Sequence, residues 1–195
     1  MEHRMSSNPY RELFQVMNEA GIRYLVVGGV AVNLHGYRRF TGDLDILLAL
    51  DVENLEKMTR LMHSMGYVER LPVDLKSLSD SNQVGRWIAE KGMTAYTFLS
   101  AKRERIDVDI LAGKSLSFPE LDGRKATLDL DDGLFVPVVS MNPKETRTGI
   151  DREYLRRSKE MSPGTRLDWL AAAWEFVRML ESTKKKARND KSSPS

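Results

Sequence analysis

The chain has 195 residues, 41% apolar and 30% charged, enough for one domain with a sizeable core and a small helical appendage. It has no cysteine, which excludes disulfides and thiolate metal sites, and no run approaching the ~20 apolar residues that span a bilayer. The net charge of +2 is uneven: the last twelve residues, KKKARNDKSSPS, carry +4 and the other 183 carry −2, so the pI near 8.8 reflects a tail rather than a basic folded surface.

The first residues, MEHRMSSNPYRELF, contain no apolar segment of the signal-peptide kind, so a cytoplasmic location is the expectation. Asn8-Pro9 then opens a helical pattern with Leu13, Phe14, Met17 and Ala20 on one stripe, and Gly21 suits its stop. IRYLVV (22–27) reads as a buried strand ending at Gly28-Gly29, and VAVNLHG (30–36) as a short helix. DLDILLAL (43–50) is a second strand. Asp51 caps an amphipathic helix that presents Leu55, Met58, Leu61, Met62 and Met65 on one face.

Residues 74–91 are expected to be helical in part. TAYTFLS (94–100) and RIDVDILAG (105–113) read as two strands, and ATLDL with LFVPVVS as a hairpin turning at DDG. Beyond Pro143 the pattern is helical, with Leu167, Leu170, Trp174, Val177 and Leu180 forming a packing stripe. The expected class is mixed α/β: a short mixed β-sheet flanked by helices over residues 1–140, a C-terminal helical segment over 141–183 packed on that core, and a basic disordered tail over 184–195.

Two acidic pairs stand out. Residues i and i+2 of a strand share a face, so Asp43 and Asp45 point one way while Leu44 and Ile46 enter the core. RIDVDIL repeats the device with Asp107 and Asp109. Two unit charges ~4 Å apart repel by about 4 kcal/mol at an effective dielectric of about 20, so converging carboxylates need an offset. Arg38, Arg39, Arg103 and Arg105 are near in sequence, and a hard divalent cation such as Mg²⁺ or Mn²⁺ is the other answer. The plainer alternative for a lone DxD is a sheet with one solvated face. The second DxD, together with glycines able to present backbone N–H groups to phosphate, shifts the balance toward a metal and nucleotide site.

The order of glycine pair, apolar-DxD-apolar strand and later acidic strand resembles the nucleotidyltransferase superfamily related to DNA polymerase β. The string YLVVGGVAVNLHGYRRFTGDLDILL resembles the branch of AbiEii-type toxins and small standalone bacterial nucleotidyltransferases. The resemblance spans residues 10 to about 140 and implies a nucleotidyltransferase-like core in which Gly28 and Gly29 hold a nucleoside triphosphate. It implies catalytic metals, Mg²⁺ or Mn²⁺, on Asp43 and Asp45, with a third carboxylate from RIDVDIL. The VDIL frame favours Asp109, with Asp107 the alternate. Arg38, Arg39 and Thr41 are candidate nucleotide contacts, though the arginines equally suit neutralising the acids and Thr41 suits holding the turn. The expected activity is transfer of NMP from an NTP to a hydroxyl or phosphate. The acceptor is an RNA 3′ end, a protein hydroxyl, or a small molecule such as an aminoglycoside or lincosamide. A non-catalytic nucleotide- or partner-binding module, or a toxin with an antitoxin protein, are the alternatives. Two departures from the pattern are Val30, where a Ser or Thr often follows the glycines, and the segment carrying Lys144.

Overall fold

The computed structural model describes residues 8–102, 105–112, 117–140 and 158–191, with 180–191 described by backbone alone. Helix α1 (Pro9–Glu19) starts where the Asn8 side chain accepts from the Tyr10 and Arg11 amides, and it buries Tyr10, Leu13, Phe14 and Met17. Strand β1 (Tyr24–Val26) leads into α2 (Gly28–Leu34), then β2 (Asp43–Leu48) and α3 (Val52–Ser64), which Asp51 caps by accepting from the Asn54 amide. Next come β3 (Tyr67–Glu69), a 3-10 turn at Leu75–Ser79 and α4 (Ser81–Lys91). Strands β4 (Ala95–Ser100) and β5 (Asp107–Leu111), the short α5 (Phe118–Asp122), β6 (Ala126–Asp129) and β7 (Phe135–Val138) follow, and α6 (Pro163–Lys191) ends the described chain.

The seven strands form one mixed sheet in the order β3-β4-β5-β2-β1-β7-β6. The β2–β5 and β1–β7 pairs are parallel and the rest antiparallel, including both hairpins read from the sequence. The even-numbered residues of the central strands, among them Val26, Leu44, Ile46, Val108 and Ile110, are fully buried in one core with side chains of α1, α2, α3 and α6. The opposite face carries only a small cluster, in which Leu25, Val27 and Leu47 pack with Phe118 and Leu121 of α5. One sheet face is therefore closed by four helices, and the other is covered in part.

Three features differ from the sequence expectations. Helix α2 begins at Gly28 rather than at residue 30, so the glycine pair is its first turn. β3, the 3-10 turn and α5 are too short to show a period. Helix α6 remains helical to Lys191, well into the basic stretch; Lys, Ala and Arg are good helix formers and extend a helix already anchored by packing. Within it, Leu167 and Leu170 are fully buried and Trp174 nearly so, as the stripe implied. Lys144 and Arg103 lie outside the described residues. No described helix is long and apolar enough to cross a membrane.

A buried guanidinium ties α6 to α2. Arg166 is 8% exposed; its Nε and Nη2 donate to the Met161 carbonyl at 3.0 and 2.7 Å, and its Nη1 donates to the Leu34 carbonyl at the end of α2. A cation at a helix C-terminus is favoured by the helix dipole. Burial lowers the Arg166 pKa and Asp131 opposes that shift, but an arginine stays charged. Arg166→Leu should strand both carbonyls and cost about 3 kcal/mol, read as a lower urea midpoint with unchanged slope.

Candidate metal site on the open sheet face

The parallel pairing of β2 with β5 sets Asp43 opposite Asp107 and Asp45 opposite Asp109. All four carboxylates lie on the less covered sheet face because their neighbours Leu44, Ile46, Val108 and Ile110 occupy the core. Asp43, Asp45 and Asp109 are each half-buried and each offers one oxygen within 4.8 Å of the others.

The fourth acid is otherwise engaged. Asp107 Oδ1 accepts from the Ser100 amide at 2.9 Å, which fixes the β4–β5 hairpin. Asp109 Oδ1 is buried and lacks a hydrogen-bond partner among the described residues. A buried carboxylate oxygen without a donor is costly, and a hard cation would satisfy it. Three carboxylates around such a point suit Mg²⁺ or Mn²⁺.

The supporting turn is tightly built. Thr41 Oγ1 donates to Asp43 Oδ1 at 2.7 Å, and the Thr41 carbonyl accepts from the buried Tyr10 hydroxyl at 3.2 Å. Asn33, fully buried, donates to the Gly29 and Arg39 carbonyls at 3.0 and 2.6 Å and accepts from the Arg39 amide at 3.1 Å. That amide stitches the 36–42 loop onto α2. Sequence reading passed over Asn33 and Tyr10; a polar residue four positions after Gly29, within an otherwise apolar helix, was the available signal.

The glycines provide clearance. Gly28 has φ +62°, and a Cβ there would lie 2.0 Å from Asp45 Oδ2; a Cβ on Gly29 would lie 2.6 Å from the Cβ and Oγ1 of Thr41. Burial raises the Asp45 pKa first, then repulsion from Asp43 and, more weakly, Asp109; the Gly29 N–H and the Arg39 charge oppose the rise. Arg39 is exposed and near the acids, whereas the Arg38 guanidinium lies 5.3 Å over the Trp169 ring of α6. Arg105 pairs with Glu12 at 2.7 Å. Val30 is fully buried in the core, so the position after the glycines packs instead of facing the acids. His35 contacts the Val139 carbonyl through Nε2 at 2.7 Å.

No family model matches the sequence, and no curated protein matches it. Among solved structures, one similar chain is the antibiotic-resistance factor ANT(2'')-Ia, whose solution structure is described as revealing substrate-regulated conformation dynamics. It is 11% identical, the alignment covers 96% of this chain and 100% of that one, and the TM-score is 0.42. Likeness at that level carries no weight for function.

The electrostatics generate a signed pH dependence. Asp45 binds its proton more tightly folded than unfolded, so the stability this provides is full below the ordinary carboxylate pKa and is lost as pH rises through the raised value. In EDTA, Asp45→Asn should remove this part of the pH dependence and match or exceed wild-type stability at pH 7, by up to about 1 kcal/mol. Gly29→Ala should instead lower stability by about 1–3 kcal/mol, because Thr41 and its bond to Asp43 must move. Thermal melts across pH check both.

Proposed function

We propose that this chain is a metal-dependent nucleotidyltransferase that moves NMP from an NTP to a hydroxyl or phosphate on an acceptor, releasing pyrophosphate. The observation that carries this reading is the Asp43, Asp45 and Asp109 cluster, in which Asp109 Oδ1 is buried without a hydrogen-bond partner among the described residues. The three carboxylates would hold Mg²⁺ or Mn²⁺, which supplies charge neutralisation for the phosphates and polarises the attacking oxygen. Asp109 takes the proton of the acceptor hydroxyl. The freed oxygen bonds to the α-phosphorus, and the bond to the β-phosphate oxygen breaks with its electron pair leaving on pyrophosphate.

Arg39, exposed beside the acids, is placed to meet the triphosphate, and Gly28 and Gly29, whose missing side chains leave room for Asp45 and Thr41, would hold it through backbone N–H groups. Thr41 acts through Asp43, which it orients. Arg38 has the Trp169 face as its neighbour and is assigned no nucleotide contact. The acceptor class is open between RNA 3′ ends, protein hydroxyls and hydroxylated small molecules. The AbiEii-like toxin reading is a special case, which growth arrest on expression and relief by an antitoxin would test.

The test is incubation with each labelled NTP, Mg²⁺ and either total RNA, lysate protein or an aminoglycoside and lincosamide set. Asp43→Asn, Asp45→Asn and Asp109→Asn should each lower transfer by about 100-fold or more, equivalent to about 3 kcal/mol. Asp107→Asn should retain most turnover, since that residue serves the hairpin. Mg²⁺ with NTP should raise the melting temperature of wild type and not of Asp45→Asn. Absence of both transfer and a metal-dependent rise would reject the proposal, and a more damaging Asp107→Asn would reassign the third acid.

A further inference from the structure

Helix α4 is amphipathic, yet none of its residues is fully buried. The reason lies beneath it. Ser81, Val84, Gly85 and Ile88, spaced i, i+3, i+4 and i+7, form one face, and that face lines a cavity of about 750 Å³. Leu47 and Leu111 contribute to the lining from β2 and β5, and Phe118 of α5 contributes from another wall. The volume and the mainly apolar lining match small-molecule sites, which run roughly 300–1,000 Å³.

Gly85 is the informative residue. Glycine in a helix interior is unfavourable and needs a reason, usually a close neighbour that a Cβ would strike. Here a Cβ at Gly85 would meet nothing within 4 Å. Because Gly85 lines the cavity and has open space beside it, a longer side chain there would favour the helix and extend into that space. The charges at the rim are already paired: Arg23 with Asp51, and Asp122 with Lys125. The hydroxyls of Ser81 and Ser117, both in the lining, have no side-chain partner among the described residues. The cavity thus offers apolar surface and hydroxyl hydrogen bonding, with no unpaired charge among the described residues of its rim.

We infer that this cavity is a binding site for a neutral, mainly apolar small molecule carrying a hydrogen-bonding group, held between α4 and α5. It is separate from the acidic cluster, since none of the three aspartates lines it. Leu47 and Leu111 nevertheless follow Asp45 and Asp109 by two residues on the same two strands. The inference stands whether or not the acids support nucleotidyl transfer.

The test uses the full chain in EDTA and the neutral fluorescent probe N-phenyl-1-naphthylamine. Wild type should show saturable, single-site enhancement, and the sulfonated analogue with the same ring body, 8-anilinonaphthalene-1-sulfonate, should bind at least about tenfold more weakly. Gly85→Leu should lower probe affinity at least about tenfold with an unchanged or higher melting temperature, because it fills the space and favours the helix. Ala112→Leu narrows the same cavity from the strand side and should also weaken binding, which keeps the test decisive if one variant fails to fold. Non-saturable binding to wild type, or undiminished affinity in a folded variant, would overturn the site. Equal binding of the sulfonated analogue would overturn the neutral-ligand assignment.

Discussion

The parallel pairing of β2 with β5 is the constraint on which the rest of the structure depends. It brings two acidic pairs alongside each other, a juxtaposition that electrostatics alone would resist. The opposing force lies on the other side of the same strands. Leu44, Ile46, Val108 and Ile110 are each fully buried, and burying such a side chain contributes about 1.5–3 kcal/mol. Four of them outweigh a carboxylate repulsion of a few kcal/mol that water and Arg39 partly screen. A slip of one residue would send the aspartates into the core and the aliphatic residues to the open face, so the register that buries the core also assembles the acids.

The uneven covering of the sheet then sets the state of the acids. Helices α1, α2, α3 and α6 close one face, while α5 covers a small apolar cluster on the other. Asp43, Asp45 and Asp109 are consequently half-buried. Full exposure would leave each carboxylate hydrated and at ease; full burial would favour the protonated form. Half-burial raises the Asp45 pKa and leaves Asp109 Oδ1 without a donor, while the group of three still opens toward solvent. That intermediate condition suits a cation that enters from water.

Much of this was legible in the residues, and the gaps have specific causes. Alternation revealed both DxD strands and the core beneath them, because period two is a local property. It could not choose between Asp107 and Asp109, which share a face; a Ser100 amide on the neighbouring strand separates them. Arg38 and Arg39 are adjacent in sequence, yet Arg38 stacks on a tryptophan of α6 while Arg39 lies by the acids. The glycine pair was visible as a strand-to-helix turn. Its clearance from Asp45 and Thr41 was not, because those contacts arise only after the 36–42 loop folds back. Asn33, which holds that loop, has three hydrogen bonds and no sequence motif.

The fold also separates where stability is generated from where it is spent. Arg166 and the buried leucines of α6 fasten the C-terminal helix to α2, on the side of the sheet away from the acids. Asn33 passes that support to the loop, and Thr41 passes it to Asp43. Asp43 is thus held by a chain of contacts that starts in the core, while Asp45 and Asp109 are placed by the strand register. A site assembled this way keeps its shape while its charges repel, and preorganisation of that kind lowers the reorganisation a ligand must drive. A cation entering it would meet ligands already in position, and its binding energy would appear as added stability of the native state.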